Sequence, residues 1–255
     1  MKKALLLIAA LGAVVSCNLF NGGNKKGNEG PAPADTLEIT EPVAEEPAFK
    51  AVDLGLSVKW AECNLGASTP EEYGDYYAWG DVETLYVEGH GSEKNCTEWK
   101  EGKEKGHKWS TYKWSTRNGT ITKYYYDGLK TLQLGENPEE TLDDAARAVL
   151  GGKWRMPTEA EMNELVKKCK WIWDNTRIGY IVTADNGNSI FLPAAGYRIE
   201  KYLVDAGKVG AYWSSTVSQE ESSEDAILIS FRKGEYQVDN GFPRFYGIPV
   251  RPVTE

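Results

Sequence analysis

Long apolar runs are almost missing from this chain of 255 residues. The one clear case, Ala4 to Val15, is shorter than the roughly 20 residues a helix needs to cross a bilayer. No second run follows it. Positive charge is also in short supply, with 29 Lys and Arg against 38 Asp and Glu and a formal net charge of −9. Such a chain is repelled by nucleic acid and by anionic lipid, which excludes DNA and RNA as partners. There are only two histidines, His90 and His107. Both sit in a Lys- and Glu-rich loop, where solvent exposure is expected over metal ligation. The four cysteines show no C-x-x-C or other zinc-like spacing, so neither a metal nor a cofactor is expected. The catalytic signatures G-x-S-x-G, H-E-x-x-H, Walker A, G-x-G-x-x-G and the EF-hand loop are all absent. Carboxylates are plentiful enough for a glycosidase pair. The sequence nevertheless gathers no convergent titratable set of the kind an active site requires, and the chain reads as a non-enzyme.

What is present begins at the N-terminus. Lys2 and Lys3 precede the apolar run, the layout of a secretory signal. The run ends in Val14-Val15-Ser16-Cys17, which resembles the bacterial lipobox. Residues 1–16 are therefore expected to be removed and Cys17 to be acylated. Each buried CH₂ of an acyl chain contributes about 0.8 kcal/mol to anchoring. Cleavage leaves the chain two charges more negative than its formal −9. Residues 17–48 carry Pro31, Pro33, Pro42 and Pro47 with almost no aromatics, the composition of a disordered tether. These features place the protein on the outer membrane, with cell-surface display the first reading and the periplasmic face the second. With Cys17 acylated, Cys63, Cys96 and Cys169 remain, an odd count. A Cys63–Cys169 disulfide is the preferred pairing because both flank apolar segments; three reduced thiols are the alternative.

A single folded domain is expected over residues 49–255. Leu54, Leu56, Val58 and Trp60 alternate with Gly55, Ser57 and Lys59, the pattern of a half-buried strand. From Val82 to Thr122 the chain is polar and rich in Trp and Tyr. Those rings could form a sugar-stacking platform, but burial in the core of a loop-rich fold is the preferred reading. Two helices are legible. The first starts at a capping-box-like Thr141-Leu142-Asp143-Asp144 and runs to Leu150, stopped by Gly151-Gly152. The second is capped by Thr158 with Glu161 as its reciprocal partner, and Met162, Leu165, Val166 and Cys169 form one apolar stripe. Period-two strands follow. Tyr180 to Thr183 and Ser189 to Leu192 flank the hairpin signal Asp185-Asn186-Gly187-Asn188. Further strands fall at Gly196 to Ile199, Ala211 to Ser215, Ala226 to Phe231 and Tyr236 to Val238, with Arg232-Lys233-Gly234 turning the last pair. Helices first and antiparallel strands after predict an α+β fold.

Several separated motifs resemble a known family. They are Gly151-Gly152-Lys153-Trp154-Arg155-Met156-Pro157-Thr158, Phe191-Leu192-Pro193-Ala194-Ala195-Gly196-Tyr197-Arg198, Tyr212-Trp213-Ser214-Ser215 and Val250-Arg251-Pro252-Val253. Asp53-Leu54-Gly55-Leu56-Ser57-Val58-Lys59-Trp60 and Tyr77-Ala78-Trp79-Gly80 add to them. Together they resemble the major paralogous domain of Fibrobacter succinogenes, abundant in Bacteroidetes lipoproteins, over nearly all of residues 50–253. The resemblance implies a C-type-lectin-like fold, two helices packed on short, mostly antiparallel strands. That fold is shared with formylglycine-generating enzymes and with variable proteins of diversity-generating retroelements. The chain departs from these relatives in two ways. It has no Cys after Cys169, whereas the enzymes need a redox-active pair near the C-terminus. It also has Trp173-Asp174-Asn175 in place of a calcium-binding Trp-Asn-Asp.

In the variable proteins the diversified positions fall in loops that correspond here to Thr216–Asp225 and Asp239–Phe245. The expected role is a membrane-anchored recognition module for a glycan or protein ligand. Its candidate contacts are Glu220, Glu221, Glu224, Asp239, Asn240 and Arg244, with Tyr236, Phe242 and Phe245 adding stacking area. A structural or accessory component of an envelope complex or surface appendage is the alternative, and an enzyme of unrecognised type the third reading. Tyr212, Trp213 and the closing Val250-Arg251-Pro252-Val253 are expected in the core.

Overall fold

The first and last strands of the folded region flank one strand, Lys59–Ala61, in a three-stranded sheet, and the chain between is built largely from small antiparallel sheets. The structure, a computed structural model, describes residues 49–86, 106–125, 127–218 and 224–255. The expectations for the signal sequence, Cys17, the tether, His90, Cys96, Glu220 and Glu221 lie outside these residues. All described residues belong to one compact unit, Glu46–Glu255. In chain order the elements are β1 (Ala51–Val52), β2 (Lys59–Ala61), β3 (Tyr76–Tyr77), a short 3₁₀ turn (Trp109–Thr111), α1 (Ala145–Leu150) and α2 (Glu159–Lys168). Then come β4 (Lys170–Asp174), β5 (Gly179–Thr183), β6 (Ser189–Pro193), β7 (Tyr197–Ile199), β8 (Tyr202–Val204) and β9 (Val209–Val217). The chain closes with β10 (Asp225–Arg232), β11 (Glu235–Pro243), β12 (Ile248–Pro249) and β13 (Val253–Thr254). Sheet orders are β1-β2-β13, β12-β3, β4-β5-β6, β7-β8 and β11-β10-β9. Two α-helices on small antiparallel sheets make the fold α+β in character. Among the described residues no helix is long and apolar enough to cross a membrane.

Helix α2 forms where the capping chemistry places it. The Thr158 side chain accepts from the Glu161 backbone while the Glu161 carboxylate accepts from the Thr158 backbone, satisfying two otherwise orphaned donors. Arg155 then grips the same Glu161 carboxylate with both terminal nitrogens at 2.9 and 2.6 Å. Met162 and Leu165 are fully buried in a core shared with Trp60, Trp171, Tyr180, Tyr212 and Phe231. Burying each such aliphatic side chain is worth about 1.5–3 kcal/mol. Helix α1 is shorter than the sequence pattern predicts. Its N-cap is Asp144, which accepts from the Arg147 backbone. Thr141 is drawn away into a polar cluster with Asp143, Lys123 and Gln133.

The strand expected over Leu54 to Trp60 is corrected to Lys59–Ala61. The burial alternation is real, since Leu54, Val58 and Trp60 are buried. Gly55 breaks the pairing, however, by adopting φ +67 and donating to the Asp53 side chain at 2.7 Å. The β5–β6 hairpin matches its turn signal, pairing Thr183 with Ser189. β4 extends that sheet on its other side.

A second core holds Trp79, Trp213, Met156, Leu228, Ile248 and Val250. It is stitched by a reciprocal exchange. The Trp213 indole donates to the Tyr77 carbonyl at 2.9 Å, and the Trp79 indole to the Ser214 carbonyl at 2.8 Å. The aromatic-rich segment packs inward in its described part, where Tyr112 and Tyr124 are buried and Trp109 and Trp114 partly so. His107 corrects the sequence reading. It is 1 % exposed, in bridge pairing with Glu200, and packs its ring against Gly247. Burial, helped by the charge of Arg198, lowers its pKa to about 3, with the Phe245 backbone offsetting this only in part.

Three arginines are fully buried: Arg198, Arg244 and Arg251. Burying a charge is costly unless hydrogen bonds or a partner offset the lost water, and Arg251 is the best provided of the three. Arg251 donates to Asn64 Oδ1 at 2.8 Å and to the carbonyls of Ala61 (3.1 Å), Glu62 (2.6 Å) and Phe191 (2.8 Å). It thereby ties the chain's closing segment to β2 and to β6.

Candidate functional site

The β10–β11 hairpin carries a concave surface. Arg232 pairs with Glu235 across the turn, Phe231 with Tyr236, Ser230 with Gln237, and Leu228 with Asp239. The register shifts between Leu228 and Ala226, and beyond that irregularity Ala226 faces Phe242. A β-bulge of this kind re-aims the side chains that follow it. β10 is fixed from its other side by β9, where Gly210 lies opposite Phe231. A Cβ on Gly210 would fall 2.0 Å from the Phe231 ring, so glycine is required for the two strands to close.

Beside this hairpin, β7 and the turn before β9 contribute Tyr197 and Asp205. Together they and the hairpin enclose an open groove of about 480 Å³, lined by Tyr197, Asp205, Val209, Ser230, Phe231, Arg232, Gly234, Glu235, Tyr236, Gln237, Asp239 and Phe242. Its aromatic wall is held rigidly. Tyr236 stacks parallel on Trp171 at 4.7 Å and stays 39 % exposed. Tyr197 stacks on Tyr246 at 5.5 Å and meets the edge of Phe242 at 5.2 Å. Burial, with the charge of Asp205 second, raises the Tyr197 phenol above its ordinary pKa.

The polar wall is acidic. Asp205 accepts from the Tyr197 hydroxyl at 3.4 Å. Asp239 accepts from Ser230 Oγ at 3.4 Å and from Gln237 Nε2 at 3.3 Å. Arg232 faces Glu235 at 3.6 Å, both largely exposed. Polar groups of defined position beside exposed ring area are the usual composition of a small-ligand or side-chain recognition site.

Of the residues nominated from sequence, Tyr236, Asp239 and Phe242 come together in this groove. Others are placed elsewhere. Glu224 is exposed, and its backbone carbonyl accepts from the Arg244 amide at 2.9 Å. Phe245 is half-buried against Trp109 and Tyr246, both at 4.9 Å. Asn240 lies on β11, with its side chain outside the described residues. Arg244 is a correction. It is 0 % exposed, its guanidinium sits 4.7 Å from the Trp79 ring centroid, and it donates to the carbonyls of Tyr124 (3.0 Å) and Asp225 (3.2 Å). The expectation of an exposed loop residue is thus overturned: its side chain is interior, bonded to carbonyls and packed on an indole. The Cys63–Cys169 pairing is corrected too. Both thiols are buried and free, Cys169 within the α2 core and Cys63 under the influence of the Arg251 charge. Burial raises both thiols above their ordinary pKa.

Sequence reasoning missed Tyr197, Asp205, Arg232, Glu235 and Gln237 as groove residues. Tyr197 had a signal, because it stands in the Gly196-Tyr197-Arg198 motif. Asp205 had none, since only the packing of the segment ending in β8 beside the hairpin brings it in. A smaller recess of about 330 Å³ lies against Asp81, Val82, Glu83, Leu85, Thr111 and Lys113. The buried Asp143 network is structural. Burial pushes that carboxyl up, but bonds from Lys113, Lys123, Thr141 and Tyr124 outweigh it and hold the pKa below the ordinary value. No group of three or more His, Cys, Asp or Glu among the described residues is arranged to hold a metal ion. Set beside known proteins, the chain matches no family model, no curated protein and no solved structure.

Proposed function

We propose that this chain is an exported, lipid-anchored, non-catalytic recognition module of C-type-lectin-like fold, related to the major paralogous domain its motifs resemble. It binds a glycan or protein ligand through the groove between β7 and the β10–β11 hairpin. Cys17 carries the lipid, residues 17–48 form the tether, and the domain is displayed from the outer membrane. The observation that carries this reading is convergence. Asp239 and Phe242, nominated as contacts in the last C-terminal loop, and Tyr236, nominated for its stacking area, line one groove with Tyr197 and Asp205. The lack of any catalytic signature supports a binding role over turnover. The test is a binding screen of the acylated protein against glycans and surface proteins, repeated with Tyr236→Ala, Asp239→Asn and Phe242→Ala. Loss of binding in variants that keep wild-type unfolding curves is the expected result. Undiminished binding by all three would sink the assignment of the groove.

A further inference from the structure

The groove described above has a sign, and its sign selects among ligands. Three acids, Asp205, Glu235 and Asp239, line it against one base, Arg232. That base is compensated within the same wall, 3.6 Å from Glu235. The Asp205 and Asp239 carboxylates stand beside the exposed aromatic wall, with Tyr197 bonded to Asp205 and Tyr236 six residues before Phe242 on the strand that carries Asp239. Rings flanked by carboxylates attract a cation twice, through the ring quadrupole and through Coulomb attraction. The same wall repels carboxylates, sulfates and phosphates. The backing of Tyr236 by Trp171 leaves the ring already fixed, so little side-chain entropy is lost when a ligand lands on it.

From this we infer that the ligand of the groove presents a cationic group, and that it is a basic segment of a protein, a Lys or Arg side chain laid against Tyr236 with its charge between Asp239 and Asp205. This inference rests on the groove being the binding surface. It goes further by choosing a basic protein segment over a neutral or acidic glycan. Long basic side chains suit the site because their apolar stems can lie along Tyr197 and Phe242 while the charge reaches the carboxylates. The rim geometry, with Arg232 beside the turn, disfavours a second basic residue at that end.

The test uses the full chain and three defined probes: an acetylated and amidated hexalysine or hexaarginine peptide, a neutral chitohexaose, and a hexaglutamate peptide. The basic peptides are expected to bind and the acidic one to fail. Asp239→Asn, Asp205→Asn and Tyr236→Leu are each expected to weaken basic-peptide affinity by roughly three- to fivefold, the scale of exposed charge pairs and cation–π contacts. Raising salt from about 0.1 M to about 1 M shortens the screening length from about 10 Å to about 3 Å and should weaken binding further. Glu224→Gln, outside the groove, should leave it unchanged. Binding of chitohexaose that is lost in Tyr236→Leu but untouched by the Asp→Asn variants, with no basic-peptide binding, would overturn the cationic inference while leaving the groove in place. Basic-peptide binding equally reduced by Glu224→Gln would mean diffuse attraction to an acidic protein and would also overturn it. Binding of any probe that no groove variant alters would overturn both the inference and the groove reading.

Discussion

Replacing Arg251 by leucine removes one guanidinium and leaves a gap in the polar structure at three places in the chain. The side chain is 1 % exposed and donates to Asn64 Oδ1 and to the carbonyls of Ala61, Glu62 and Phe191. Each hydrogen bond to a charged group is worth about 1.5–3 kcal/mol net, and each buried acceptor left alone costs about 1–3 kcal/mol. These figures overlap and do not add in full, because leucine also escapes the cost of burying a charge. Removing one side of a buried charged network typically costs about 3–5 kcal/mol. A domain of this kind has roughly 5–15 kcal/mol of total stability, so the loss is a large share of it. Urea denaturation followed by far-ultraviolet circular dichroism should show a lower midpoint with an unchanged slope, the mark of lost stability without a change in compactness. Arg251→Lys keeps the charge but not the planar fork that reaches several carbonyls at once, and should fall between the two. A leucine variant within about 1 kcal/mol of wild type would refute the view that Arg251 fastens the closing segment to β2 and β6.

Other perturbations read different parts of the structure. Trp213→Ala empties a fully buried site and breaks the bond to the Tyr77 carbonyl. It should cost about 3–5 kcal/mol and unfold the domain before it changes ligand preference, as thermal melts beside binding assays would show. Gly210→Ala drives a methyl into the Phe231 ring and should cost about 1–3 kcal/mol by the same melts. His107 gives a pH dependence. Its pKa is about 3 in the folded chain against an ordinary 6.5, so between those values the unfolded chain takes up the proton and the folded chain does not. Its contribution to stability should be constant above pH 6.5, fall as the pH drops from 6.5 towards 3, and level off below. Asp144 acts in the opposite sense, its burial raising the folded pKa from 3.8 to about 6, so its contribution is lost as the pH rises across that interval. Comparing wild type with His107→Asn at each pH isolates the histidine. A difference curve flat from pH 7 to pH 4 would contradict the buried neutral ring.

What could be read from the chain beforehand was local. Helix α2 was visible because Thr158, Glu161 and the Met162–Leu165 stripe are neighbours in sequence and need nothing distant to act. The β5–β6 hairpin was visible for the same reason. β4 escaped notice because it starts directly after the helix cap at Cys169 with no turn residue, and Trp171, Ile172 and Trp173 are apolar on both faces. Arg244 and His107 were misplaced because their sequence neighbours are polar, while their partners are distant. Arg244 finds Tyr124 and Asp225, and His107 finds Glu200 and Gly247. The groove was half legible. Asp239 and Phe242 are reached by a loop argument and Tyr236 as an aromatic beside it, but Tyr197 and Asp205 meet them only through tertiary packing.

The central claim is that ligands meet this protein at the groove between β7 and the β10–β11 hairpin. Hydrogen–deuterium exchange with and without bound ligand tests it most directly. Slowed exchange confined to residues 197–209 and 230–242, with residues 107–134 unchanged, is the predicted result. Protection of residues 107–134 with none at 197–209 or 230–242 would contradict it.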